Sequence, residues 1–199
     1  MARNLPVRGE RHIDEVQIFP QRGFVYHIKG GGISGKLMRP FAELWAALTL
    51  SQGEYVHWID GASRFNPARI MNNFPQHIPQ PEQLLHGLFV GRGFTVHQFS
   101  HLIERLSDEI KITKARLIVV DGPITMHLDS QVNGYEARSL LRKSMNILSQ
   151  IAIDYQIPVV VITAVKGFSK RHASLLALVA NRSQNSLVGR YRRHMGKNK

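Results

Sequence analysis

The sequence predicts an α/β domain whose mainly parallel sheet is flanked by helices on both faces. Four short apolar runs, rich in β-branched and aromatic residues, have the composition of buried strands: residues 24–28, 55–59, 117–120 and 159–163. Helical segments lie between these runs, and in residues 135–155 apolar side chains recur every three or four positions. Because strands that alternate with helices form parallel sheets, ligands are expected at the carboxyl ends of the strands.

Three further helices are predicted between the strands. Residues 41–50 and 99–110 have helical composition. Asn66 and Pro67 favour a short helix over residues 67–73, because Asn caps helices and Pro suits their first turn.

Size and composition predict a single core domain. The 199 residues are 43% hydrophobic and 20% charged, which is enough to bury one core, and no internal repeat or low-complexity tract indicates a second domain. We expect residues 1–20 to form an arm or linker and residues 21–199 to form the core domain, with a basic C-terminal end.

Several classes of function are excluded by what the sequence lacks. It has no cysteine, which excludes disulfides, thiolate metal sites and thiol catalysis. It also has no apolar run long enough to span a membrane and no secretory signal at its start. We therefore expect an intracellular protein with no membrane partner, cytoplasmic or, in a eukaryote, nuclear.

The charge of the chain favours a polyanionic partner. The formal net charge is +12, and residues 166–199 contain nine Lys and Arg and no acidic residue, whereas residues 41–165 are nearly balanced. A basic end of this kind is either a solvated tail or a nucleic-acid contact, and we favour the second.

A glycine-rich segment follows the first predicted strand and precedes a helix. It has the G-x-x-x-x-G-K spacing of a phosphate loop, in which backbone amides and a lysine surround phosphate oxygens. A glycine-rich turn without a ligand is the alternative. The candidate nucleotide-binding residues are Gly30, Gly31, Gly32, Ile33, Ser34, Gly35, Lys36 and Leu37.

The position after the lysine departs from the phosphate-loop pattern. That position normally holds Ser or Thr, whose hydroxyl binds Mg²⁺, and here it is Leu37. The candidate cofactor is therefore ATP or ADP, bound with weak dependence on Mg²⁺.

Three later segments resemble the RecA/RadA recombinase family, most closely the archaeal RadA recombinases and their eukaryotic relatives: YVHWIDGASRFNPARI, ARLIVVDG and GYEARSLLRKSMNILSQIAIDYQIPVVVITAV. The resemblance covers residues 8–165 and implies a RecA-like P-loop core. It matches Asp60, Phe65, Pro67 and Arg69 to the family's second core strand and turn. It also makes Asp121 the Walker B residue that holds the metal through water, although Asp121 taken alone also suits a strand-end cap.

The departures from the family fall on its chemistry. The acid that activates water in the family corresponds to Ala62, and the polar pair containing the phosphate-sensing glutamine corresponds to Ala164 and Val165. Alanine cannot accept a proton, and phosphoryl transfer depends on positioned charge and metal. The resemblance therefore implies a degenerate paralogue with no catalytic residues.

The resemblance also places DNA-contacting loops after two of the strands. Residues 166–172 form the stronger candidate, a loop whose cations can neutralise phosphates and whose Phe168 can stack on a base, unless Phe168 folds into the core. Residues 127–142 are weaker because acids accompany the cations. A last strand in residues 187–193 would direct its arginines outward. The candidate DNA-binding residues are Arg138, Arg142, Lys143, Lys166, Phe168, Lys170, Arg171, Arg190, Arg192, Arg193 and Lys197.

The sequence thus favours a non-catalytic paralogue that binds single-stranded or junction DNA and assists homologous recombination or repair. The alternatives are a DNA-dependent ATPase with an atypical metal site, and a structural subunit that binds a catalytic recombinase or another paralogue. His97 and His101 have helical spacing but no third ligand nearby, so we predict no metal site.

Overall fold

The computed structural model describes residues 19–189 and the backbone of residues 10–12, and its centre is a seven-stranded sheet. The spatial order is β1-β7-β2-β6-β5-β3-β4, and every neighbouring pair is parallel. The strands are β1 (Glu10–His12), β2 (Val25–Gly30), β3 (Val56–Asp60), β4 (Leu88–Arg92), β5 (Leu117–Asp121), β6 (Val159–Ala164) and β7 (Asn185–Val188).

Helices cover both faces of this sheet, which confirms the predicted α/β class. They are α1 (Arg39–Ser51), α2 (Pro67–Met71), α3 (Val96–Thr113), α4 (Gly134–Tyr155) and α5 (Lys170–Asn181), with 3-10 turns at Ile33–Met38, Pro81–Gly87 and Thr125–Leu128. One core contains Trp45 of α1 and Trp58 of β3, and the other contains Phe99 of α3 and Leu141 of α4. None of the described helices is long and apolar enough to cross a bilayer.

Capping side chains set most of the helix starts. The Asn66 side chain accepts the Ala68 amide at 3.0 Å, as its sequence position predicts. Thr95 and Gln98 form a reciprocal capping box at the start of α3. Helix α1 has no side-chain cap and carries Pro40 in its first turn.

The prediction of a loop over residues 166–172 was wrong in its second half. Lys170 and Arg171 lie in the first turn of α5, because the Ser169 hydroxyl accepts the His172 amide at 3.1 Å and caps the helix. Strand β7 covers Asn185–Val188. The described residues end at Gly189, and the candidate residues Arg190, Arg192, Arg193 and Lys197 therefore lie outside them.

Strand β1 comes from the segment predicted to be an arm. Its three residues pair in parallel with β7 and extend the sheet at that edge. At the opposite edge, β4 is only partly buried.

Four of the described histidines are buried, and the pKa is lowered most strongly in His27 and His127. His27 in β2 lies with Nε2 2.6 Å from Oγ1 of Thr163, and His127 donates from Nδ1 to the carbonyl of Pro123 at 2.8 Å. Burial lowers the pKa of His27 to about 3 and that of His127 to about 4. Between the two pKa values the unfolded chain therefore binds protons that the folded chain does not bind. The contribution of these histidines to the free energy of unfolding is complete above the unfolded pKa, and it is lost as the pH falls from there toward the folded pKa.

We expect the free energy of unfolding to fall by about 2 kcal/mol for each of these histidines between about pH 7 and about pH 5. Urea denaturation at a series of pH values measures this slope. The variant His27→Gln/His127→Gln should flatten it, whereas His77→Gln, at an exposed position, should leave it unchanged. A free energy of unfolding that stays constant between about pH 7 and about pH 5 would contradict the assignment.

Candidate nucleotide loop and nucleic-acid interface

The glycine-rich loop connects the end of β2 to the start of α1. Gly32, Ser34 and Gly35 have φ values of 79°, 52° and 74°, in the left-handed region. The Gly35 amide donates to the Gly32 carbonyl at 3.2 Å, and the Leu37 amide donates to the Gly31 carbonyl at 3.3 Å. These two amides are therefore used within the loop, whereas phosphate loops direct their amides at phosphate oxygens.

Three neighbouring elements hold this loop. Ser34 Oγ lies 2.8 Å from Oγ1 of Thr125, and Nη1 of Arg64 donates to the Ile33 carbonyl at 2.6 Å. A Cβ at Gly35 would lie 2.1 Å from the carbonyl oxygen of Thr163, so only glycine fits against β6. The conformation is thus determined by packing within the protein.

The end of the loop presents one cation and one apolar side chain. Lys36 is exposed and has no ionic partner in the part of the chain that the structure describes. Leu37 is 41% exposed and offers no oxygen to a metal. Helix α1 begins only at Arg39, three residues after the lysine.

Asp121 pairs with an arginine that sequence analysis did not single out. Arg39 Nε lies 2.6 Å from Asp121 Oδ2, and the two residues are 2% and 0% exposed. Burial raises the pKa of Asp121, and the guanidinium of Arg39 opposes that rise. The sequence analysis assigned no cation to Asp121, because local pattern does not reveal which cation reaches a buried strand end.

Asp60, at the end of β3, organises the turn that follows. Its carboxylate accepts the amides of Ala62 at 3.1 Å, Arg64 at 2.9 Å and Phe65 at 2.9 Å. It also accepts Nε and Nη2 of Arg92, each at 3.0 Å. The carboxylate is fully buried, so these bonds compensate its charge and fix the turn in which Ala62 lies.

In residues 166–172, called here the post-β6 segment, the predicted cations and aromatic ring are exposed to different extents. Lys166, Phe168 and Lys170 are exposed, Phe168 to 80%. The Phe168 ring packs edge-on against the His172 ring, with the two ring centroids 4.6 Å apart. The alternative that Phe168 folds into the core was wrong. In Arg171, by contrast, Nε and Nη2 are buried and have no hydrogen-bond partner among the described residues.

The predicted cations of α4 do not gather around this segment. Arg138 donates to the Ser174 carbonyl at 3.3 Å and to the Ser174 hydroxyl. Lys143 pairs with Glu104 at 2.7 Å. Arg142 is exposed but lies about 12 Å along α4 from the start of that helix.

Two exposed aromatic residues that sequence analysis missed lie at the same carboxyl edge of the sheet. Phe94 follows β4 and is 71% exposed, and Tyr135 opens α4 and is 85% exposed. A cavity of about 540 Å³ lies between the glycine-rich loop and the post-β6 segment. Its apolar lining includes Ile33, Ile124, Leu128, Ala164 and Phe168. Only the tertiary arrangement brings these residues to one edge.

Metal ligands are not clustered in the described ranges. No group of three or more His, Asp or Glu side chains there could hold a metal ion. His97 lies 3.5 Å from Glu136 in an exposed pair, and His101 is exposed.

Removing the Asp60 carboxylate should destabilise the fold. Asp60→Ala leaves three amides and the Arg92 guanidinium without their acceptor, and we expect a loss of about 3 kcal/mol in the free energy of unfolding. Urea denaturation measures it. Asp108→Ala, which removes an exposed carboxylate paired only with Lys111, should leave the midpoint unchanged. Equal midpoints for the two variants would show that the turn does not depend on Asp60.

Comparison with known proteins agrees with this architecture. The Rad51 family model matches residues 43–189, nearly three quarters of the chain, and so includes Asp60, Asp121 and the post-β6 segment but begins after the glycine-rich loop. A search of curated proteins finds no significant match. Because the family match spans most of the sheet and its helices, the chain belongs to the Rad51 family of recombination and repair proteins.

Proposed function

We propose that this Rad51-family chain binds single-stranded or junction DNA and assists a catalytic recombinase or another paralogue, with little or no ATP hydrolysis of its own. The observation that carries the proposal is the post-β6 segment, where Lys166, Phe168 and Lys170 are exposed together at the carboxyl edge. Cations that neutralise phosphates beside a ring that stacks on bases are the combination that binds single strands.

The position of these cations supports a polyanionic ligand. Lys170 and Arg171 lie in the first turn of α5, where the positive end of the helix dipole disfavours cations. No acid lies in that first turn, and among the described residues Lys166 and Lys170 have no ionic partner. A bound phosphate would relieve this accumulation of positive charge.

Additional aromatic rings favour single-stranded over duplex DNA. Phe94 and Tyr135 lie at the same edge as Phe168 and have most of their surface exposed. Unstacked bases can stack on such rings, whereas bases within a duplex cannot.

We infer little or no ATP hydrolysis from the residues at three positions, those that correspond to the family's general base, phosphate sensor and metal ligand. Ala62 lies beside Gly122, Val165 is 41% exposed, and neither side chain can activate water or sense a phosphate. Leu37 offers no metal ligand.

We expect binding to single-stranded oligonucleotides to weaken steeply with salt. Lys166→Gln/Lys170→Gln should lower the slope of log affinity against log salt by about 0.7 for each phosphate that these lysines neutralise in the wild type. Phe168→Ala should instead lower affinity by roughly 5- to 100-fold with the slope unchanged, because stacking releases no counterions. Fluorescence anisotropy over a salt series measures both.

The matched control is Lys111→Gln/Lys114→Gln, which removes the same charge. These lysines lie at the carboxyl end of α3, next to the amino ends of the strands and away from the proposed interface. It should leave the slope close to that of the wild type. Salt-independent binding, or an equal reduction in the control, would contradict the proposed interface.

The rival function, a DNA-dependent ATPase, is favoured by the exposed Lys36. We expect phosphate release at the background rate with and without single-stranded DNA, because general base, sensor and metal ligand are all replaced. A DNA-stimulated turnover that Lys36→Ala abolishes would establish the ATPase instead.

A further inference from the structure

Arg39 contacts the aspartate that corresponds, by the family resemblance, to the metal-holding residue of nucleotide-hydrolysing loops. In such loops a Walker B aspartate and the hydroxyl after the lysine hold Mg²⁺. Here the corresponding aspartate, Asp121, contacts Arg39 Nε at 2.6 Å, and the hydroxyl position is Leu37. We propose that the Arg39 guanidinium replaces the divalent cation and holds the glycine-rich loop in one conformation without metal or nucleotide.

The residues present do not fit Mg²⁺. Magnesium requires octahedral oxygen ligands at about 2.0–2.1 Å and keeps several of its waters. Asp121 is completely buried, and its Oδ2 is in contact with the guanidinium. A hydrated dication would therefore have to displace Arg39, and a displaced guanidinium that stays buried loses its counter-charge.

Asp121 and Arg39 depend on each other for charge compensation. The contact uses Arg39 Nε and Asp121 Oδ2, and the remaining buried atoms Asp121 Oδ1 and Arg39 Nη2 have no hydrogen-bond partner among the described residues. Removal of either group would leave the other as an uncompensated charge in the interior.

A second buried carboxylate extends this compensation. Glu43, one turn after Arg39 in α1, is 5% exposed, and Arg69 Nη1 lies 3.8 Å from its Oε1. Burial raises the pKa of Glu43, while Arg69 and Arg39 oppose the rise. Two arginines thus face two buried carboxylates, and this region reaches neutrality without a metal.

The shape of the loop follows from the same contact. Helix α1 begins at Arg39, and the residues before it form a turn that kinks at Ser34 and Gly35, with the Gly35 and Leu37 amides bonded within the loop. Because Arg39 anchors the end of this turn to β5, the loop has its conformation before any phosphate arrives.

The test compares the effect of MgCl2 on thermal unfolding in the full chain, without DNA. The variants are Leu37→Thr, which adds the missing hydroxyl at an exposed position, Arg39→Ala, and the double variant. We expect millimolar MgCl2 to leave the unfolding temperature of the wild type and of Leu37→Thr unchanged. It should raise that of the double variant saturably, since a ligand that binds only the folded state stabilises it.

The triple variant that adds Asp121→Asn should lose this magnesium response. A saturable rise in the wild type or in Leu37→Thr that Asp121→Asn removes would overturn the proposal, because Mg²⁺ would then bind with Arg39 in place. A folded double variant that ignores MgCl2 would overturn it as well.

Two measurements keep the proposal falsifiable if Arg39→Ala fails to fold. The titration of Leu37→Thr still decides whether Arg39 and Mg²⁺ coexist. In addition, ADP affinity of the wild type should be equal in MgCl2 and in EDTA, and a higher affinity with MgCl2 would overturn the proposal. The inference deepens the non-hydrolytic part of the proposed function and is independent of DNA binding, so failure here leaves the salt-dependence experiments unaffected.

Discussion

The contact between Arg39 and Asp121 joins the three parts of the molecule that meet at the carboxyl edge of the sheet. It connects the first residue of α1 to the last residue of β5, at the point where the glycine-rich loop leads from β2 into α1. A carboxylate at the end of a buried parallel strand must be compensated, since an isolated charge in the interior costs several kcal/mol. Asp60 at the neighbouring strand end meets the same requirement with three amides and Arg92.

The buried charges at this edge are compensated within the protein, whereas the exposed charges are available to a ligand. The charges of the buried carboxylates Asp121 and Asp60 are compensated by arginines of the chain itself, so that a bound cation is not required for this purpose. The exposed cations after β6 lack such partners in the described part of the chain and lie beside exposed aromatic rings. The compensated carboxylates and the exposed cations thus occupy different depths of the same edge.

The strands and long helices of the core could be predicted because their periodic apolar pattern is strong. Residues 135–155, for example, differ from α4 by one residue. Strand β4 was missed because it lies at a half-exposed edge and contains a glycine, which weakens the strand pattern. Helix α5 was not predicted, and its first residues, Lys170 and Arg171, resemble a solvated loop and are unfavourable at a helix amino terminus.

The sequence by itself determined the α/β class, the position of the glycine-rich loop between a strand and a helix, and Leu37 in place of Ser or Thr after the lysine, because these depend on residue type and local spacing; Ala62 and Val165 became candidate replacements only through the family resemblance. Only the tertiary structure decided which cation meets Asp121, how far Arg171 is withdrawn from solvent, and that Phe94 and Tyr135 share an edge with Phe168. The residues in each of these contacts are far apart in the chain. Parallel strand pairing with helical crossovers brings them together, and local sequence pattern does not encode that pairing.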